Sequence, residues 1–381
     1  MVSKPSGAII RLAVPEINSD EIEAATKVLS SGWLIQGEVV RKFEELVAGY
    51  VGAKYAIAVN SGTSALHLSL LSLGVTKEDE IITSDFTFPA TANVIELVGA
   101  KPVLVDINLD TYNIEVTQIE ARITKQTKAI LPVHLFGQVA NMKQIIEIAQ
   151  RHNLKIIEDA APALGSTYKL DGKVRKAGVS GDLGCFSFHP RKVITTGEGG
   201  MITTNDDELA SKLRKLRNHG MENREGITDF VLPGYNYRMT EMQAAIGIAQ
   251  MRKLDSIIAR RQQLARLYNS LLKDIPWLKT PKVLNGVRHT YQAYVVLVDS
   301  RIDRCRLMHQ LAEQGIETAI GTYSLHQSAY YRSKYGFSID DFPNARIAYE
   351  QSLALPLYPK MHEGDIQYVA QKLKQVGDGL R

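Results

Sequence analysis

From residue 55 to residue 217, short continuous apolar runs take turns with segments of helical periodicity. The runs do not alternate between apolar and polar residues, as a strand with one solvent-exposed face does, and they are too short for typical buried helices. They predict strands at 55–59, 80–84, 102–106, 129–134, 154–158, 185–188 and 200–204. The segments between them predict one helix that ends at residue 73 and further helices at 91–98, 116–123 and 142–152. A last helix is predicted from Asp206 or Asp207 to residue 217. This alternation is typical of a mostly parallel sheet covered by helices on both faces.

Two amphipathic helices are predicted before this region. The first helix begins after Asn18, a capping residue that is followed by acidic residues. Apolar residues then recur at helical spacing, and Gly32 ends the helix. A second helix is predicted from about Val39 to Tyr50.

The pattern changes at Glu241, where a long helix is predicted to run toward Asp274 and to stop before Pro276. It is followed by a predicted strand at 294–298, a helix at 304–314, a strand at 316–320 and a last helix after Asp365. The chain is therefore expected to fold as a large α/β domain, residues 1–250, and a smaller C-terminal α/β domain, residues 251–381.

Composition excludes several classes of protein. With 45% hydrophobic and 23% charged residues, the 381-residue chain has an ordinary globular composition, which argues against disorder. Its net charge of +4 comes without a dense Lys/Arg block, which gives no support to dedicated nucleic-acid or membrane-surface binding. Cys185 and Cys305 are too few for a disulfide scaffold or a metal cluster, so no metal site is expected. The start lacks a signal-peptide core and no run could span a membrane, which predicts a cytoplasmic protein.

Four segments carry candidate chemistry. The run 60–64 (NSGTS) follows a strand and opens a helix, where free N–H groups suit a phosphate; a simple helix cap is the alternative. Asp159 ends a buried strand, where it could pair with a cationic ring nitrogen or merely cap a helix. Lys192 follows the run 186–188, so it could form a Schiff base or be a solvated loop lysine, and Ser187 could donate to a phosphate. The glycine-rich run 195–200 (TTGEGG) permits tight turns and close contacts, but matches no nucleotide-binding motif.

Taken together, these segments resemble the DegT/StrS family of pyridoxal-phosphate-dependent nucleotide-sugar aminotransferases, which have the aspartate-aminotransferase-like fold type I. The resemblance spans nearly the whole chain. It also includes the runs 31–33 (SGW), 61–66 (SGTSAL), 86–88 (FTF), 90–93 (ATAN), 132–134 (PVH), 158–161 (EDAA) and 234–240 (GYNYRMT).

The resemblance implies a role for each matching cofactor residue. Lys192 would carry the internal aldimine, and Asp159 would sit on the pyridinium nitrogen. Gly62, Thr63 and Ser187 would hold the cofactor phosphate, and Phe88 would stack on the pyridine ring, although Phe88 could also be ordinary core. Asn236 would reach the cofactor phosphate of a neighbouring subunit, so the active unit is expected to be a homodimer or larger. Pro162 stands where relatives often carry a polar residue, and proline cannot donate a hydrogen bond.

The predicted reaction moves an amino group from glutamate or glutamine to a nucleotide-linked keto-6-deoxysugar, and carbon 4 is favoured as the carbon that receives it. Candidate substrate contacts are His189, Arg238, Tyr323 and His326; His189 could instead be structural, and Arg238 could simply brace an interface. Two alternatives remain at this point. Relatives with histidine in place of the lysine act as dehydratases, which the presence of Lys192 disfavours, and a non-catalytic regulator could retain the fold.

Overall fold

The computed structural model describes residues 9–381. Within that range the α-helices, α1 to α12 in chain order, are Ser19–Ser31, Glu38–Val51, Gly62–Ser72, Ala90–Leu97, Met142–His152, Asp207–Arg217, Glu241–Arg252, Leu254–Leu272, Arg304–Glu313, Ala329–Tyr335, Pro343–Gln351 and Glu363–Gly379. The strands, β1 to β16, are Tyr55–Val59, Glu80–Ser84, Phe86–Thr87, Lys101–Val105, Thr127–Leu131, Lys155–Asp159, Thr167–Leu170, Lys173–Lys176, Leu183–Ser187, Gly200–Thr204, Met221–Arg224, Ile227–Phe230, Leu278–Lys279, Tyr294–Val298, Tyr323–Ser324 and Ser352–Leu355.

Seven strands form the central sheet, in the order β1-β10-β9-β6-β5-β2-β4. Strands β9, β6, β5, β2 and β4 are parallel to one another, whereas β10 runs antiparallel between β1 and β9. The predicted fold class, a mostly parallel α/β sheet with a smaller C-terminal α/β part, is therefore confirmed. In this topology β1, β6 and β9 all end at the same edge of the sheet.

Both faces of the sheet are buried, which explains why its strands are continuously apolar. Successive side chains of a strand point to opposite faces, and Ile156 and Ile157 of β6 accordingly belong to two different hydrophobic cores. A third core lies in the C-terminal part of the chain. Helix α8 spans the transition, since Ile257 packs in the first core and Leu264 in the C-terminal one. The division at residue 250 stays a prediction that this change of packing supports.

The structure corrects three expected elements. The helix expected at 116–123 is two short 3-10 helices, Val116–Gln118 and Glu120–Arg122. The long helix is broken at Lys253, whose φ of −113° leaves the helical region while its ammonium pairs with the buried Glu21. The strand expected at 316–320 is reduced to isolated bridges, because Ile316 pairs with Ile10 and Ala319 with Ala354 without a continuous ladder. Among residues 9–381, no helix has the length and apolar character needed to cross a bilayer.

Candidate active site

The candidate site lies at the edge of the sheet where β1, β6 and β9 end. Pairing across the sheet sets Val59, Gly200 and Ser187 in line, on β1, β10 and β9 respectively. Asp159 is the last residue of β6, two strands away from β10. The carboxyl ends of parallel strands are where open α/β sheets bind their ligands, and Asp159 and Ser187 lie at this edge.

Asp159 is a buried carboxylate held from two sides. Its Oδ2 accepts the hydroxyl of Thr91 at 2.9 Å, and its Oδ1 accepts the N–H of Ala161 at 3.2 Å. Burial raises the pKa of Asp159, and the hydrogen bonds from Thr91 and Ala161 together with the charge of Lys192 oppose the rise without cancelling it. A buried carboxylate in this state gains stability from a cation placed beside it.

Lys192 lies on the turn after β9 and is half-buried. Its N–H donates to the carbonyl of His189 at 2.8 Å, which closes the turn. Burial lowers the pKa of Lys192, and the charge of Asp159 partly offsets that effect. Among residues 9–381 the side-chain amine of Lys192 has no hydrogen-bond partner. A partly desolvated amine of this kind is neutral more often than a solvated lysine and can act as a nucleophile or a base.

The start of α3 provides an anion-binding edge. Ser61 caps the helix by accepting the N–H of Ser64 at 3.1 Å, while the N–H groups of Gly62 and Thr63 meet no acceptor among residues 9–381. Gly62 lies directly against Ser187, because a Cβ on Gly62 would come within 2.8 Å of the Ser187 Cβ. Thr63 is exposed. Free N–H groups, hydroxyls and the positive end of a helix together suit a phosphate group.

Phe88 and Tyr323 contact each other, although 235 positions separate them. Tyr323 pairs with Thr87 in a two-residue antiparallel ladder, and its ring contacts Phe88 edge to face with 6.3 Å between centroids. Phe88 is 62% exposed and Tyr323 44% exposed. Exposed aromatic rings are available to stack on a planar or sugar-like ligand.

His326 has a different environment from the one expected of a substrate contact. Its side chain is fully buried, and Nδ1 lies 2.8 Å from a carboxylate oxygen of Asp85 while Nε2 lies 3.2 Å from the carbonyl of Ile339. Both ring nitrogens thus have partners inside the protein. Because nothing is left to meet a ligand, the geometry gives His326 a structural position beside the site.

The other proposed contacts are nearer the surface. His189 accepts the N–H of Arg191 through Nδ1 at 3.2 Å, and burial lowers the pKa of its ring. Arg238 donates to the side chain of Asn218, which also forms a backbone bridge with the exposed Asn236. His189 therefore stays close to Lys192 along the turn. Asn236 and Arg238 flank Tyr237, whose carbonyl accepts the N–H of Asn60 at 3.0 Å, just before the start of α3.

Two structural features were missed from the sequence. Thr91 belongs to the run 90–93, whose spacing gives no sign that its hydroxyl bonds to Asp159. Glu158 belongs to the run 158–161, which gives no local signal of its partners. Its buried carboxylate accepts Nε2 of His134 at 2.8 Å and the N–H groups of Gly178, Ser180 and Gly181 at 2.7–2.8 Å. It anchors the segment before β9 beside the site.

The fold and the site define a pyridoxal-phosphate enzyme of fold type I. A family model described as the DegT/DnrJ/EryC1/StrS aminotransferase family matches residues 15–374, and the chain belongs to that family. Its members are pyridoxal-phosphate-dependent sugar aminotransferases, so the predicted class of enzyme and its cofactor are confirmed.

Three proteins illustrate the similarity. The chain is 40% identical to the GDP-perosamine synthase of Caulobacter vibrioides, over 96% of this chain and 98% of the relative. It is also 40% identical to the spore coat polysaccharide biosynthesis protein SpsC of Bacillus subtilis, over 96% and 97% of the two chains. Spr1654 of Streptococcus pneumoniae, solved in a PMP form, superimposes with a TM-score of 0.93 at 28% identity, covering 98% of both chains.

Proposed function

We propose that this enzyme transfers the amino group of glutamate or glutamine to carbon 4 of a nucleotide-linked keto-6-deoxysugar. The observation that carries the proposal is that the half-buried Lys192 amine, which has no hydrogen-bond partner among residues 9–381, and the buried Asp159 carboxylate lie close enough to interact by charge. The similarity to GDP-perosamine synthase and to SpsC supports a nucleotide-sugar substrate and a role in polysaccharide biosynthesis.

The residues present fit pyridoxal 5′-phosphate. Lys192 would bind the cofactor covalently, and Asp159, whose buried carboxylate lacks a full counter-charge, would face its ring nitrogen. The free N–H groups of Gly62 and Thr63 would hold the phosphate with Ser187, and Phe88 would cover the ring face. When bound, the cofactor supplies an electron sink for negative charge at the substrate carbon. Pro162 is buried in the turn after Asp159 and offers no N–H, so no contact to the cofactor is assigned to it.

The protein's part in catalysis is proton transfer and electrostatics. The Lys192 amine, with its pKa lowered by burial, would accept a proton from the amino-donor carbon in the first half of the reaction and would deliver a proton to the sugar carbon in the second half. Asp159 would stay ionised beside a positive ring nitrogen and hold that charge in place, because a cation next to a buried carboxylate lowers the carboxylate's pKa. The bond from Thr91 would keep the carboxylate oriented throughout.

Substrate recognition is assigned to the exposed groups near these residues. Tyr323, which lies against Phe88, and His189, which lies on the same turn as Lys192, would line the sugar pocket. Arg238 would meet the diphosphate. His326 is left out of this set, since both of its ring nitrogens are bonded within the protein.

We further propose a homodimer with shared active sites. Asn236 is exposed on its own chain and would reach the cofactor phosphate of the partner. Several apolar side chains are exposed in a manner typical of an interface: Trp33 58%, Ile35 64%, Ile227 72% and Phe230 61%. A second copy of the chain would cover them.

A two-step assay tests the reaction. The protein loaded with pyridoxal 5′-phosphate is mixed with L-glutamate, and the visible absorbance of the cofactor should fall as it accepts the amino group. A panel of GDP-, dTDP- and UDP-linked 4-keto- and 3-keto-6-deoxysugars is then added, and a 4-keto member should restore the absorbance. If glutamate and glutamine both leave the absorbance unchanged, the proposal is wrong, and a dehydratase or a non-catalytic protein becomes the better interpretation.

A further inference from the structure

The carboxylate of Asp85 joins the end of β2 to a distant segment of the chain. Asp85 is fully buried. Its Oδ1 accepts the N–H of His326 at 2.7 Å, and its Oδ2 accepts the hydroxyl of Ser324 at 2.7 Å and Nδ1 of His326 at 2.8 Å. The carbonyl of Asp85 also accepts the N–H of Leu325 at 3.0 Å. One residue next to the central sheet therefore fixes three consecutive residues, 324–326.

The hydrogen bonds define the protonation state of His326. Its Nε2 faces the carbonyl of Ile339, which can only accept, so Nε2 carries a proton. The Ser324 hydroxyl has one proton, which it donates to Asp85. It therefore cannot donate a hydrogen bond to Nδ1 of His326. Nδ1 therefore donates as well. His326 is an imidazolium paired with the Asp85 carboxylate, and both side chains are completely buried.

The charges around His326 agree with this state. Burial acts to lower the pKa of His326, but the hydrogen bond and charge of Asp85, the carbonyl of Ile339 and the charge of Asp341 outweigh it and raise the pKa. The ring of Phe342 packs against the imidazole with 5.0 Å between centroids and contributes no charge. The proton is thus held by groups from both sides of the segment.

The ion pair sets the register of the ladder that carries Tyr323. Ser324 and Tyr323 pair with Phe86 and Thr87 directly after Asp85, and this pairing places the Tyr323 ring against Phe88. Two residues of ladder are a weak connection by themselves. The buried bonds of Asp85 are what hold the ladder in one register.

We propose that Asp85 and protonated His326 are positioning residues, which hold Tyr323 against Phe88 and thereby shape the wall of the sugar pocket. The proposal rests on the proposed function, in which both aromatic rings line that pocket. Neither member of the pair touches substrate; they act through the backbone of residues 323–326.

A matched control is Asp106, a second buried aspartate that bonds to the C-terminal part of the chain. Asp106 is also buried, and its carboxylate accepts the N–H groups of Asn344 and Ala345 at 3.0 and 2.8 Å, which caps α11. The helix it caps packs against β15, but the bonds of its carboxylate go to Asn344 and Ala345 and not to residues 323–326. The variant Asp106→Asn should therefore lower stability while the bonds of Asp85 still hold the tyrosine.

The two half-reactions separate positioning from general damage. In Asp85→Asn and His326→Gln holoenzymes, we expect the KM for the 4-keto-6-deoxyhexose of the panel that the wild type aminates to rise about tenfold or more, since a buried charged hydrogen bond is lost. The rate of the glutamate half-reaction should change by less than about twofold. Asp106→Asn should leave both values near those of the wild type while lowering Tm. Equal losses in both half-reactions for all three variants would show a merely structural role and overturn the proposal.

The protonation state gives a test independent of activity. The ¹⁵N NMR spectrum of the histidine-labelled holoenzyme, with His326→Gln used for assignment, should show both ring nitrogens of His326 protonated at pH 7. A neutral ring overturns the proposal even if the variants fail to fold. In the wild type the KM for the sugar should rise as the pH increases through the raised pKa of His326, and Asp85→Asn should lack this change. If the wild type aminates no sugar in the panel, the proposed function is wrong, whereas the NMR result still decides whether the ion pair exists.

Discussion

Thr91 donates its hydroxyl to Oδ2 of Asp159 at 2.9 Å, and the two residues are 1% and 4% exposed. The bond connects the first turn of α4 to the end of β6. Thr87, in β3, lies four positions before Thr91, with 3.1 Å between their hydroxyl oxygens. The orientation of the buried carboxylate is therefore set by a helix that also follows Phe88 directly, so the two sides of the candidate cofactor site are joined by one short segment.

Replacing Thr91 with valine should weaken cofactor binding. The substitution keeps the shape of the side chain but removes the hydroxyl, so the pKa of Asp159 should rise further above its usual value and less of the carboxylate would be ionised. A hydrogen bond to a charged group contributes about 1.5–3 kcal/mol, which corresponds to a loss of affinity of roughly tenfold or more. Titration of the cofactor-free protein with pyridoxal 5′-phosphate, followed by absorbance, measures this change.

The matched control is Thr87→Val. Its hydroxyl is equally buried but bonds to Thr91 rather than to Asp159, so the affinity should change by less than about threefold. Similar losses in the two variants would mean that packing of α4, and not the bond to the carboxylate, supports cofactor binding.

Replacing Lys192 with alanine should abolish transamination while the protein stays folded. The variant lacks the amine that would bind the cofactor and move the proton, and the loss of general acid–base catalysis alone should lower the rate by about 10³-fold. Borohydride treatment should fix the cofactor in the wild type, where a peptide containing Lys192 carries it, and should not do so in the variant. Lys155→Ala serves as the control, since this exposed lysine at the opposite end of β6 pairs with Asp182. Full activity in Lys192→Ala would refute the assignment.

The buried carboxylate of Glu158 should stabilise the fold in a pH-dependent way. Burial by itself would raise its pKa, but the hydrogen bonds from His134, Gly181 and Gly178 outweigh burial and hold the pKa below the usual 4.5. A carboxyl group with a lowered pKa in the folded state stabilises the protein above its unfolded pKa, and this stabilisation is lost as the pH falls through the folded value. Glu158→Gln places an amide donor among N–H donors and should cost about 3 kcal/mol at pH 7.

Chemical unfolding at pH 7 and at several values below pH 4.5 measures this effect, and the difference between the wild type and Glu158→Gln should shrink at the acidic end. Glu120→Gln is the control. Glu120 also bonds to a histidine, His152, at 3.0 Å, but the pair is exposed, so its loss should change the free energy of unfolding by less than about 1 kcal/mol. A Glu158→Gln variant as stable as Glu120→Gln would contradict the role of burial.

Periodicity predicted the framework because it reports which side chains face a core. The strands at 55–59, 80–84 and 200–204 and the helix at 142–152 have the bounds expected from their apolar patterns. Polar elements gave no such signal. The hairpin of β7 and β8 runs from Thr167 to Lys176 and is rich in lysine and exposed, so its sequence could not be told from a loop.

The site was predictable to the extent that its residues follow strands. Asp159 is the last residue of β6 and Lys192 lies on the turn that follows β9, and topology alone brings strand ends to one edge. Pairing between distant residues left no trace in local sequence. Asp85 and His326 are 241 positions apart, and their ion pair lies beside the two-residue contact of β3 and β15, which likewise joins distant parts of the chain. For this reason a histidine expected to face substrate is instead buried.

The proposed sharing of active sites between subunits can be tested by mixing two inactive variants. Lys192→Ala removes the amine from each site, and Asn236→Asp places a negative charge where the partner's cofactor phosphate should lie. If Asn236 acts on the partner subunit's site, a hybrid dimer has one site with both defects and one site with neither. Random exchange of subunits at equal concentrations makes half of the dimers hybrids, so about a quarter of the wild-type activity should return.

A second mixture distinguishes sharing from simple stabilisation by a partner. Lys192 and Asp159 interact within one chain, so a hybrid of Lys192→Ala with Asp159→Ala has one defect in each site and should stay inactive. Native mass spectrometry verifies that hybrids form in both mixtures. Recovery in the first mixture and none in the second would establish that Asn236 completes the neighbouring site. If Asn236→Asp is inactive alone and its verified hybrids with Lys192→Ala remain inactive, Asn236 acts within its own chain, because an interface that contributes no group to catalysis cannot separate the two defects. Full activity of Asn236→Asp alone would show that Asn236 completes neither site.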